Sequence, residues 1–353
     1  MFANNEQISW KQMYCQMVLG LTGAFILFLP GEGEVYGLPG AFAGILAAVI
    51  LIIYCFGLVR IAPAYGHLDK YAGTIGAKMA GLVFLVYFLI TGAFLIAVIY
   101  EIISIYMNAE AAQWIIHVTV ILTCSMAGIP QIQRRGRLAE FVFPFLVSVL
   151  GVMLVTAFVQ NQENFGEYLM QRSYMDVNTI FGDVHKVLAM STCVGATPFI
   201  LGNVRGRRYV GLISAVGTIF LFFISTIVLL QGSYGINQVA DRQWPVLSVM
   251  ASIRVQGGFV SRMDPIWLSL ILLLLLFSVG STFFYSNYIV KKTELKIPWY
   301  VIYGLVYVLS LIRFGQDGIR EWYFPAVSLF FAPSIFLWNL FLGIRMRMKK
   351  HEK

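Results

Sequence analysis

Apolar segments of about twenty residues follow one another along this whole chain, and Lys and Arg concentrate in every second loop between them. Arg134, Arg135 and Arg137 form one basic cluster and Arg205, Arg207 and Arg208 the next. Lys291, Lys292 and Lys296 follow, and then Arg345, Arg347, Lys349, Lys350 and Lys353. The loops between are acidic or near neutral: Glu32 and Glu34; Glu110; Glu163, Glu167 and Asp176 against Arg172; Asp317 and Glu321 against Arg313 and Arg320. One long segment departs, with Arg242, Arg254 and Arg262, and long loops obey the charge rule weakly. The alternation predicts an all-α integral membrane protein with both termini cytoplasmic.

Composition agrees: 59% of the 353 residues are hydrophobic and 12% are charged, too few to cover a soluble domain. Ten spans are expected, near 8–30, 38–62, 80–107, 114–129, 138–159, 180–204, 209–231, 264–290, 298–312 and 322–344. They fill a single membrane domain over 1–353, with Trp10, Trp114, Trp267, Trp299 and Trp322 near span ends as interfacial aromatics. The net charge of +8 does not signal nucleic acid. Eighteen of the 25 Lys and Arg fall on one face, in the N-terminal segment, the alternate loops and the C-terminal tail, where membrane lipid with anionic headgroups is the expected partner. Cys15, Cys55, Cys124 and Cys193 lie inside spans without CxxC spacing and are expected to serve packing; neither metal nor cofactor is expected. Residues 1–7 lack a basic n-region and cleavage site, so the first apolar segment is expected to be a retained helix.

Two external segments interrupt the pattern. Residues 160–179 are polar. Residues 232–263 contain Trp244-Pro245 and then Val246, Leu247, Met250 and Ile253 at helical spacing, with Ser248, Ser252 and Arg254 largely opposite. That predicts a short amphipathic helix lying on the outer surface or dipping into it.

Span 1 carries Gly20-Leu-Thr-Gly23 midway and later Pro30-Gly31; span 6 carries Cys193-Val-Gly195-Ala-Thr-Pro198 midway. These spans run in opposite directions. Matching interruptions in two halves, about 8–159 and 180–344, predict two inverted five-helix repeats with spans 1 and 6 broken. An unwound turn inside a bilayer must line a cavity or meet a ligand, because unpaired N–H and C=O groups are costly there. Amides at one half-helix and carbonyls at the other suit a zwitterion, so a small amino acid-type ligand fits better than a sugar or a lipid. Glycine in membrane helices also serves close packing, which is the competing reading.

Intramembrane ionisable residues are rare and functional by default. Glu101 has apolar sequence on both sides and reads as a gate or proton site, or else pairs with Lys186 or reaches the headgroups. His117 lies near the outer end of span 4, and Asp183, His185 and Lys186 crowd the outer start of span 6, where Lys186 can snorkel outward. In span 8, Ser278, Ser281 and Thr282 share a face; their hydroxyls either help bind a cation or bond back to their own helix.

The stretch 244–268, WPVLSVMASIRVQGGFVSRMDPIWL, resembles the external-helix region of spore germination permeases, the B subunits of germinant receptors within the amino acid–polyamine–organocation superfamily. Trp244-Pro245 matches the start of that region; Phe259, Arg262 and Asp264 match its end, and 8–31 resembles the first span. The resemblance implies an amino acid site between spans 1, 3, 6 and 8, and partnership with two other germinant-receptor subunits, one membrane-embedded and one lipoprotein, in the spore inner membrane. Carried to this chain, it points to Gly20, Leu21, Thr22 and Gly23 and to Thr192, Cys193, Val194, Gly195, Ala196 and Thr197. Tyr87 and Thr91 are expected to form one wall, and Ser278 and Ser281 another. Glu101, Lys186, Arg262 and Asp264 are gate or coupling candidates.

The sequence departs from the family in the loop GEGEVYGLPGAF after span 1 and at Cys193 and Pro198. Residues 138–159 also lack the lysine that couples protons in some superfamily transporters. Two functions fit the same site: a permease-like receptor subunit that senses a germinant, and a proton- or sodium-coupled secondary amino-acid transporter. An enzyme is not expected, because no HExxH, GxGD-like or Gly-x-Ser-x-Gly motif occurs, and a Glu101–His117 pair would have no nucleophile.

Overall fold

The computed structural model describes residues 6–31, 33–107, 112–161, 165–166, 176–252, 264–312 and 319–351. A two-residue strand, β1 (Ile8–Ser9), leads into α1 (Trp10–Phe28). Ser9 caps that helix: its Oγ accepts from the Gln12 amide, and the Gln12 side chain accepts from the Ser9 amide, both at 3.1 Å. Then come α2 (Gly37–Ile61), α3 (Leu68–Tyr106), α4 (Gln113–Ser125) and α5 (Ile132–Gln160). The second half holds α6 (Val177–Met190), a 3₁₀ segment (Ser191–Ala196), a four-residue helix (Pro198–Leu201) and β2 (Val204–Arg205). It continues with α7 (Arg208–Ala240), α8 (Pro245–Ser252), α9 (Asp264–Lys292) and α10 (Trp299–Leu311). Last are α11 (Ile319–Ala326) and α12 (Ala332–His351). Pro325 removes one ladder amide, and the chain widens into a π turn (Val327–Phe331) between them.

Seven helical stretches among the described residues are long and apolar enough to cross a membrane. The α4 stretch and α10 are shorter apolar helices, and α1 has 19 residues. All ten expected segments are thus helical. Phe141, Ile75 and Leu329 are about four-fifths exposed, which suits side chains facing lipid. The centre of the molecule is identified by burial: 78% of the apolar window in Val177–Leu201 and 67% of that in Leu68–Tyr106 are buried, against 22% in Ile132–Gln160. Around these, α1 packs on α5, α7 and α9, and α3 packs on α9 and α10.

Two glycines let long helices turn corners. Gly73 in α3 (φ 73°, ψ 164°) and Gly235 in α7 (φ 71°, ψ 165°) adopt nearly the same left-handed backbone, which only glycine takes without strain.

Two of four expectations need correction. Span 1 is not broken: α1 runs continuously through Gly20–Gly23 and ends at Phe28, before Pro30-Gly31. Span 6 does leave the α-helix, from Ser191 to Ala196. Helix α5 begins at Ile132, so Arg135 lies inside a helix and not in a loop. Helix α8 is the expected short helix and dips into the protein, with Val246, Leu247, Val249 and Met250 buried and Ser252 exposed. The ends of spans 1 and 6 meet instead through their backbones: β1 and β2 pair in parallel, Ile8 beside Val204 and Ser9 beside Arg205.

Candidate functional site

A cavity of about 60 Å³ lies where α1, α3, α5, α6, α9 and α11 converge. Seven of the fourteen expected binding residues line it: Gly20 and Leu21 from α1, Tyr87 and Thr91 from α3, Cys193 from the 3₁₀ segment, and Ser278 and Ser281 from α9. Helical spacing places them there. Gly20 lacks a side chain, so Ser281 comes close; a Cβ on Gly20 would sit 3.1 Å from its Oγ. Four aromatic rings, Tyr87, Phe88, Tyr285 and Tyr323, form part of the wall; Phe88 stacks on Tyr285 with centroids 5.1 Å apart, and Tyr323 on Phe94 behind it at 3.8 Å.

The hydroxyls are mostly bonded to backbone. Ser278 Oγ donates toward Gly20 O (2.8 Å) and Leu274 O (3.0 Å), Ser281 donates to Phe277 O (2.8 Å), and Thr91 to Tyr87 O (2.8 Å). This is the back-bonding that membrane helices commonly show, and it leaves oxygen lone pairs as acceptors. The Ser278 bond crosses from α9 to a carbonyl of α1, so it ties the two helices together at the cavity.

The other seven do not line the cavity. Thr22 donates to Val18 O (2.7 Å) within its own helix. Gly23 is a contact point with α9, since a Cβ there would sit 2.8 Å from Leu274 Cβ. In the 3₁₀ segment, Thr192 donates to Ala189 O (2.6 Å) and Thr197 to Val194 O (2.8 Å). The Gly195 carbonyl receives Asn339 Nδ2 from α12 at 3.1 Å. Asn339 also donates to Tyr54 (2.7 Å) and accepts from Tyr65 (2.5 Å). Val194, Gly195 and Ala196 are buried. Within this turn the Gly195 and Val194 carbonyls are thus taken up by side chains of the protein itself.

The gate candidates separate. Glu101 accepts from Gln243 Nε2 at 2.7 Å, just before α8, and Lys186 pairs with Glu34 at 3.3 Å. Of the alternatives open for Glu101, pairing with Lys186 is not the one seen; each has another partner. Asp264 opens α9, and Arg262 lies outside the described residues. His117 Nδ1 bonds Ser310 Oγ (2.9 Å), a neighbour other than Glu101. Among the described residues no three His, Cys, Asp or Glu cluster as metal ligands. At the opposite end, Lys291 bridges Glu6 (2.7 Å), and this bond holds the Glu6 carboxyl below its ordinary range.

Sequence reasoning missed Gln16, Arg135 and Tyr323 in the cavity and Asn339 behind the 3₁₀ turn. A signal for Arg135 was present. The buried stripe of α5 runs Ile132, Arg135, Ala139, Leu146, Leu150, Met153 and Ala157, and extending its helical period back from Ala139 lands on Arg135.

Comparison with known proteins bears on this architecture. A family model described as "Spore germination protein", the spore permease family, matches residues 7–317. Spore germination protein YndE of Bacillus subtilis (strain 168) is 22% identical over 334 residues, 90% of this chain and 91% of that protein. The chain belongs to the spore germination permease family and is a multi-pass membrane protein.

Proposed function

We propose that this chain is the permease-like subunit of a spore germinant receptor, and that it takes a small amino acid-type germinant into the cavity beside Gly20 and so triggers germination. The observation that carries this is the convergence at one small cavity of polar groups from α1, α3, the 3₁₀ segment and α9. A cavity of about 60 Å³ suits a compact solute on the scale of glycine or alanine. The germination role comes from the family and from what the name of YndE says of that protein.

The inverted-repeat reading gains support from the matched Gly73 and Gly235 corners, each following the second span of its half, and from the opposed course of α1 and α6. Cytoplasmic termini gain support from basic clusters gathered at one end: Lys291 on Glu6, Arg205 beside Ser9, and Lys349 donating to the Lys70 carbonyl. Two further receptor subunits, one in the membrane and one lipoprotein, complete the assembly in the spore inner membrane on this reading.

The test is cavity filling. Gly20→Val puts methyl groups where Ser281 lies, and germination in response to amino acids should be lost while the protein remains in the membrane. A normal dose-response in Gly20→Val spores would refute the site. Gradient-driven amino-acid uptake by the lone chain in proteoliposomes would instead favour the coupled-transporter reading.

A further inference from the structure

Two residues that line the cavity, Arg135 and Gln16, each carry a buried donor nitrogen without a partner. Arg135 is only 4% exposed and is the one charged residue among those lining the cavity. Its Nη2 donates to Phe277 O (3.2 Å) and to Ser281 Oγ, and its guanidinium lies over the rings of Phe277 (4.6 Å) and Phe284 (5.3 Å). Its Nη1 is buried without a partner. Gln16, 6% exposed on the facing turn of α1, also lines the cavity, and its Nε2 is likewise buried without a partner. No Asp or Glu lines the cavity.

We propose that Arg135 and Gln16 receive a carboxylate, so that the ligand is a compact monocarboxylate, the carboxylate end of a small α-amino acid included. This rests on the cavity reading above and moves solute recognition from main-chain breaks to two side chains. A buried guanidinium without a counter-anion is costly, and so is an unpaired amide N–H. An ionised carboxylate accepts only, through two oxygens, and is the group that satisfies both donors at once. The stack on Phe277 and the Phe277 carbonyl fix the guanidinium plane in advance, so little order is lost on binding. A dicarboxylate would find no second cation. An ammonium would meet only the Tyr87, Tyr285 and Tyr323 rings and hydroxyl oxygens, which is enough to tolerate an α-amino group but not to select an amine lacking the acid.

The experiment uses the full chain in lipid nanodiscs, titrated calorimetrically with propionate, glycine and L-alanine, and with propionamide and ethylamine as neutral and cationic counterparts. Propionate or one of the two amino acids should bind, and propionamide and ethylamine should not. Arg135→Gln should weaken carboxylate binding by about tenfold or more, and Arg135→Lys should restore part of it, because charge returns without the planar fork. If Arg135→Gln fails to fold, Gln16→Leu is the second variant, and it should also weaken carboxylate binding. Unchanged carboxylate affinity in folded Arg135→Gln, or in Gln16→Leu, overturns the proposal. Binding of propionamide or ethylamine that Gly20→Val abolishes would overturn it while leaving the cavity reading intact. Silence from every probe, together with normal germination of Gly20→Val spores, would bring down the cavity reading and this inference with it.

Discussion

Asn339 joins three elements that the sequence does not connect. From α12 it reaches the Gly195 carbonyl at 3.1 Å, Tyr54 of α2 at 2.7 Å and Tyr65 at 2.5 Å. Replacing it with Leu leaves a carbonyl and two phenols without that partner in a setting where water does not substitute. Asn339→Leu should therefore lower stability by about 1–3 kcal/mol, read as a fall in melting temperature of the purified protein. Ligand affinity should change far less, since Asn339 stands outside the cavity. Loss of affinity with unchanged melting would mean that the 3₁₀ turn holds the ligand after all. At this scale the sequence was legible where spacing alone placed a residue, as for Gly20, Tyr87, Thr91, Ser278 and Ser281. It was misleading where one residue type serves two purposes. Arg135 looked like one more positive-inside charge beside Arg134 and Arg137, and only the register of α5 turns it inward. Asn339, alone in an apolar span, carries no pattern that names its partners 144 to 285 residues away.

Helix continuity is decided by what surrounds a glycine and not by the glycine itself. Gly20 and Gly23 sit in an unbroken α1 because α9 comes close to both, through Ser281 and Leu274. At Ser191–Ala196 the helix tightens to 3₁₀, and the side chain of Asn339 takes up the Gly195 carbonyl there. Sequence inspection saw glycines in both spans and assigned both the same role; the existence and order of the helices were readable, and this distinction was not. Gly73 and Gly235 offer the cleaner case. Both adopt positive φ with no atom near enough to Gly73 to crowd a Cβ. Gly73→Ala should thus cost about 1–2 kcal/mol from backbone strain alone, and Gly235→Ala should cost a similar amount. Thermal unfolding of the two variants checks this. A stability gain in either would mean that its corner straightens into helix.

For the molecule as a whole, different contacts hold the two ends together. At the end near Lys291, β1 and β2 pair, with Ile8 and Val204 both buried, and Glu6 bridges Lys291. Glu6 titrates below its ordinary value of 4.5, chiefly through the Lys291 hydrogen bond, so its contribution is present above that value and fades as pH falls through the lowered one. With both side chains about half exposed the pair contributes under about 1 kcal/mol, so Glu6→Gln should cost little at neutral pH and remove this part of the acid sensitivity of melting. At the other end Gly31 lies against the Gln243 carbonyl, where a Cβ would be 2.5 Å from the oxygen, and Trp244 packs on Phe28 with centroids 5.9 Å apart. The access test is whether a solute reaches the cavity by parting one of these two sets of contacts. Paired Cα atoms of neighbouring strands are about 5 Å apart, within the reach of a disulfide, so cysteines replacing Ile8 and Val204 should cross-link under mild oxidation. Cys193, half-buried in the cavity wall, reports which set parts, while Cys15, Cys55 and Cys124 are buried elsewhere. With the cross-link formed, a membrane-impermeant thiol reagent should modify Cys193 from the Gln243 face and not from the Lys291 face, and reduction should restore labelling from the Lys291 face. Labelling from the Lys291 face that survives the cross-link would show that this strand pair does not control access, because the polypeptide would then admit solute there without separating β1 from β2.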